Sequence, residues 1–111
     1  MSIQRTAPFF LLTLAALAAG CAPQEAAVDD AALANADPIS GEALYMDLCA
    51  SCHGADGMGT ASGSSLLGIS ESNDQALWDV IFFGEDGMPA YSDLSDQEIA
   101  DLIAWMRAAY S

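Results

Sequence analysis

Lysine is absent from the 111 residues, and the two basic residues are Arg5 and Arg107. With sixteen carboxylates the formal charge is −14. Such a surface repels phosphate, which makes nucleic acid and anionic lipid surfaces poor partners. Histidine occurs once, at His53, and cysteine three times. A zinc site built on two Cys/His pairs is therefore out of reach. Long apolar runs are missing too: Phe9 to Ala19 is too short to span a bilayer as an ordinary helix. No alternating strand pattern and no internal repeat appears.

What is present begins with export. Arg5, the apolar run and the small residues Ala18, Ala19 and Gly20 before Cys21 have the layout of a signal segment over 1–20. Small residues followed by cysteine resemble a bacterial lipoprotein signal. That resemblance implies acylation of Cys21, a membrane anchor through N-terminal lipid, and a periplasmic location. The leucine of that pattern lies one place early, at Leu17. Without the signal, one arginine faces sixteen carboxylates, a formal charge of −15. A partner with a basic docking patch would be steered towards it, less so at high salt.

Residues 21–38, rich in Ala and Asp and closing on Asp37-Pro38, read as a flexible acidic tether with transient helicity over 25–34 and no apolar face to bury. Residues 39–111 form the domain. A chain this short buries a marginal core and usually depends on a metal, a disulfide or a bound group. Three helices are expected. The first starts near Ser40, with Glu42 in its first turn, and runs through the segment GEALYMDLCASC. The second starts after Ser72 or Asn73, where Ser72 and Gln75 fit a capping box, and stops at Gly84. The third has Ser95 and Glu98 as a capping box, then Ile99, Leu102, Ile103 and Met106 on one face. The fold class is all-α.

The segment LCASCHGADG concentrates the chemistry. On a helical turn Cys49, Cys52 and His53 project from one side. A disulfide between the two thiols would close a tiny loop and stabilise little. A redox dithiol of the thioredoxin kind expects a βαβ setting that is absent. Cys-x-x-Cys-His is, however, the attachment motif of c-type haem, with Cys49 and Cys52 as thioether anchors and His53 as an iron ligand. For the second axial position Met46 and Met58 flank the motif and sit on the wrong side, and Met106 belongs to the core. Met88, in a loop with Gly87 and Pro89 beside it, is the expected ligand.

CASCHG, GMP and the order helix, haem motif, loop, helix, methionine loop, terminal helix resemble class I cytochrome c over residues 39–110. The resemblance implies a small monohaem fold of about three main helices around one haem c, with Gly41, Tyr45, Leu102 and Trp105 packing the first helix on the last. Gly63-Ser64 stands where the family often has Gly-Pro, leaving a backbone carbonyl to orient His53. Trp78 has two readings, core packing or a bond to a haem propionate, of which packing is favoured. The family implies electron transfer and no enzyme activity. The expected protein is a monomeric, lipid-tethered carrier between redox proteins, with a dehydrogenase as donor and an oxidase or cytochrome as acceptor. The alternatives are a subunit bound permanently to a dehydrogenase or oxidase complex, and a five-coordinate haem protein.

Overall fold

A computed structural model describes residues 25–111, so the signal expected over 1–20 and the lipidation site Cys21 lie outside the described residues. The chain forms α1 (Asp30–Ala34), α2 (Pro38–Leu48), α3 (Ala50–His53), a 3-10 turn at Ile69–Glu71, α4 (Asp74–Phe83) and α5 (Asp96–Tyr110). The all-α class is the observed one. Among the described residues the extended pairings outside helices are two isolated bridges, Thr60 with Gly63 and Glu85 with Met88.

Each longer helix starts at a side chain that accepts an otherwise unpaired backbone N–H. For α2 this is Asp37, not Ser40: the Asp37 carboxylate accepts from the Ile39 N–H at 2.9 Å, and the Ser40 hydroxyl donates to its other oxygen at 2.9 Å. Pro38 occupies the first turn, where its fixed φ suits the helix and its missing N–H costs nothing. The hydrogen bond from Ser40, then that from Ile39, holds the Asp37 carboxyl below its usual value. For α4 the cap is Asn73, whose side chain accepts from the Ala76 N–H at 2.8 Å. The Ser72–Gln75 box does not form, because the cap lies one residue later at Asn73, and Gln75 Nε2 donates instead to Ala26 O and Asp79 Oδ1. The box at α5 closes both ways, Glu98 N–H to Ser95 Oγ at 3.1 Å and Ser95 N–H to Glu98 Oε1 at 2.9 Å.

The core sits where α2 crosses α5. Gly41 permits the approach: a Cβ there would lie 2.5 Å from the Asp101 carbonyl carbon and 3.0 Å from Trp105 Cβ. Tyr45 is fully buried, its ring 4.8 Å from Trp105 and 5.4 Å from Tyr110 between centroids. Leu102, Ile99, Ile103 and Met106 fill the remainder from α5. Gly41, Tyr45, Leu102, Trp105 and Met106 thus stand in the packing roles expected of them.

Residues 25–36 depart from the free tether that composition suggests. Ala26 and Ala32 are buried, and Val28, Leu33 and Ala36 pack partly buried against the core. Their small side chains bring the backbone close enough for side chains of α4 and α5 to reach it. Those bonds to backbone groups add to the apolar contact, and composition does not register them.

Candidate cofactor-attachment site

At Cys49 the helix direction breaks, and the residue ends α2 and starts α3 with φ −115° and ψ −31°. Cys52 and His53 N–H groups both return to the Cys49 carbonyl, at 3.2 and 2.9 Å. This turn places Cys49, Cys52 and His53 on the lining of one cavity. Gly54, at φ +88°, stops the turn in a conformation that side chains rarely adopt.

The loop then folds back over the motif. Gly59 N–H donates to the His53 carbonyl at 2.8 Å, and the Thr60 hydroxyl to the Cys52 carbonyl at 2.7 Å. Gly63 lies on Cys52 so closely that a Cβ would be 2.5 Å from its carbonyl oxygen. This contact delivers the next carbonyl, Ser64 O, to His53 Nδ1 at 2.8 Å. A carbonyl only accepts, so Nδ1 carries the proton and Nε2 keeps its lone pair for a metal. Gly63-Ser64 therefore supplies the orienting carbonyl without proline.

The two thiols are free and half-buried. Burial, and secondarily the neighbouring Cys52, pushes the Cys49 thiol up to about 11. Redox dithiols require the opposite shift, towards thiolate. Among the described residues no three His, Cys, Asp or Glu side chains converge as a metal cluster.

Two adjoining cavities open beside the motif. One, of about 320 Å³, is walled by Leu66, Leu77, Ile81, Leu102 and Met106, with Cys49, His53 and Met88 at its edge. The other, of about 440 Å³, is lined by Leu48, Cys49, Cys52, His53, Met88, Pro89 and Tyr91. Cys49, His53, Ser64, Glu85 and Met88 belong to both, and of these His53 carries an imidazole, Met88 a thioether and Cys49 a thiol. A largely apolar space with two thiols, an imidazole lone pair and a thioether on its walls fits a covalently attached haem. Met46 and Met58 line neither and are exposed by 43% and 62%, which removes them as ligands. Trp78 is buried in the core and lines neither cavity, in keeping with packing.

Met88 is held by a tight turn in which Glu85 and Met88 exchange backbone hydrogen bonds of 3.2 and 2.9 Å. Gly84, at φ +75°, lies beneath it, where a Cβ would be 2.5 Å from the Met88 carbonyl oxygen. Two tyrosines that sequence reasoning missed complete the support. Tyr91 receives its place from a bond between its N–H and the Ile81 carbonyl at 2.9 Å, and its hydroxyl donates to Leu48 O at 3.0 Å. Tyr110 donates to Ala55 O at 2.7 Å, beside the bond from Tyr45 to Gly54 O at 2.6 Å. The one signal for Tyr91 is an aromatic residue just after Met88-Pro89.

Residues 36–106, more than half of the chain, match the model of a family described as cytochrome c oxidase, cbb3-type, subunit III. The cytochrome bc1 complex cytochrome c subunit of Corynebacterium diphtheriae is 36% identical over 78 residues, covering 67% of this chain and 28% of that relative. The chain thus spans less than a third of that relative's length. Among solved structures, cytochrome cL from Hyphomicrobium denitrificans superposes with a TM-score of 0.57 at 31% identity, over 72% of this chain and 49% of the other. Cytochrome cL from Methylophaga aminisulfidivorans gives 0.55 at 30% identity, over 74% and 57%.

Proposed function

Since the chain belongs to the cytochrome c family, in the class I-like group with the cbb3-type subunit III domain, we propose that it is a single-electron carrier with one covalent haem c, bound through Cys49 and Cys52 and ligated by His53 and Met88. The observation that carries this reading is the sharing of Cys49, His53 and Met88 by both cavities. Bound haem supplies a one-electron iron couple, whose potential methionine ligation raises relative to two imidazoles.

The chain's own residues do the rest. Ser64 O fixes the His53 tautomer, so that Nε2 would offer haem iron a neutral lone pair. The turn from Gly84 to Met88 and the bond of Tyr91 to Leu48 O hold the methionine loop at the cavity. Leu77, Ile81, Leu102 and Met106 keep water from the inner wall. Haem held by both His53 and Met88 would have no open iron position for a substrate, which favours outer-sphere transfer over enzymatic turnover. The lipoprotein-like start adds a periplasmic domain anchored by lipid on Cys21, passing electrons from a dehydrogenase to an oxidase or another cytochrome.

The test is the optical spectrum of protein matured where haem is attached, beside Met88→Ala. A low-spin ferrous spectrum and a weak far-red ferric band, lost in the variant, are expected. A high-spin spectrum that binds carbon monoxide and does not change on mutation would point to five-coordinate iron and overturn the carrier. A second reading, a permanent subunit of a respiratory complex, is favoured by the relative named as a subunit of a cytochrome bc1 complex. Mild extraction separates the two: a carrier elutes as a monomer, a subunit with its complex.

A further inference from the structure

The sequence QALWD in α4 and the sequence QEIAD in α5 each place a glutamine four residues before an aspartate, Gln75 with Asp79 and Gln97 with Asp101. In both, the Gln amide donates to the Asp carboxylate at 2.9 Å, one turn along the helix. In both, the carboxylate also accepts a backbone N–H from the N-terminal segment: Asp79 from Ala26 at 2.8 Å, Asp101 from Asp37 at 2.8 Å. And in both, the glutamine reaches a carbonyl of that segment, Gln75 to Ala26 O at 2.8 Å, Gln97 to Ala32 O at 3.1 Å and Asn35 O at 3.3 Å. Two clamps of one design therefore grip the segment at its two ends. Asp101 is 7% exposed, and one of its oxygens accepts both the Asp37 N–H and the Gln97 amide.

On α4 the clamp residues Gln75 and Asp79 occupy the face opposite Leu77 and Ile81. Leu77 and Ile81 line the cavity that Cys49, His53 and Met88 share. The segment thus arrives behind α4, on the side away from that cavity.

We infer that residues 25–36 are a clamped strap, which leaves lipid on Cys21 only a short lead to the domain and turns the cavity side away from the bilayer. This rests on the proposed lipidation of Cys21. A tether running free to Pro38 would reach about 60 Å at full extension, whereas a chain gripped at Ala26 reaches at most about 18 Å from Cys21. The domain stays within about 18 Å of its anchor, and its partners come to it.

The test uses full-length, haem-loaded protein in vesicles of phosphatidylethanolamine and phosphatidylglycerol, compared with Gln75→Ala/Asp79→Ala/Gln97→Ala. Hydrogen exchange of the Ala26 amide, and of the amides of Leu33, Asn35 and Ala36 in and just after α1, is expected to be about tenfold or more slower than in a free peptide, and to reach the peptide rate in the variant while α5 stays protected. Quenching of a dye at the bilayer surface by the haem should also fall in the variant, as the domain gains the longer lead. Wild-type exchange at the peptide rate, or equal quenching in both proteins, overturns the strap. If the triple variant does not fold, Gln97→Ala alone and the wild-type exchange rates still decide. Mass spectrometry separates the two failures: lipid on Cys21 with fast exchange removes the strap alone, whereas a protected strap without lipid removes the anchor and the short lead with it.

Discussion

Gly63 has no room for a side chain, since a Cβ would lie 2.5 Å from Cys52 O and 2.7 Å from its carbonyl carbon. Gly63→Ala must push the loop off the motif and carry Ser64 O away from His53. A loss of about 1–3 kcal/mol in urea unfolding is expected, the usual range for overpacking. Tyr91→Phe removes one hydrogen bond, to Leu48 O. It should cost about 1 kcal/mol and leave the haem spectrum low-spin. At this scale the motif residues were legible, because Cys49, Cys52 and His53 are held together by local helical spacing. The place of Met88 on both cavities accords with the glycine and proline beside it. Tyr91 and Tyr110 were not legible, because their partners are the carbonyls of Leu48 and Ala55, and any residue can supply a carbonyl.

Caps decide where the elements begin. Ser95→Ala should open the α5 box at a cost of about 1 kcal/mol, read as a midpoint about 4–8 °C lower in thermal circular dichroism. Asp37 carries a pH dependence of definite sign. Its folded value lies below the usual 3.8, so its stabilisation is complete above 3.8 and is lost as pH falls through the lower folded value. Urea midpoints taken between pH 5 and 2 should fall less in Asp37→Asn than in the wild type, because the amide caps without titrating. The α5 box could be read directly as Ser95 followed three residues later by Glu98. Asp37 escaped because Asp-Pro was read as the close of a tether, whereas proline is at home in a first helical turn. Gln75 misled because its spacing from Ser72 imitates a box while its amide serves Ala26, far off in sequence.

Over the whole molecule the charge is nearly of one sign. Arg107, the only arginine among the described residues, is tied to Asp74 at 2.7 Å and to the carbonyls of Ser70 and Ser72. At low salt a small cationic redox complex should therefore react faster with the haem protein than an anionic one of similar potential. The gap in stopped-flow rates should close by about 0.5 M salt, where the Debye length falls to a few ångströms. The acidity was plain from composition, and so was the helical class. The docking of residues 25–36 was not, since an Ala- and Asp-rich stretch looks the same whether or not a glutamine elsewhere in the chain holds its carbonyls. Tyr110 has a consequence in time as well as in space. Its hydroxyl holds Ala55, its carbonyl accepts from Gly68 at 2.9 Å, and its ring covers Gly57, where a Cβ would be 2.6 Å from a ring carbon. The loop that orients His53 is thus locked by a residue synthesised 55 positions later. Until α5 docks and Tyr110 takes its place, the loop beside the two thiols stays unlocked.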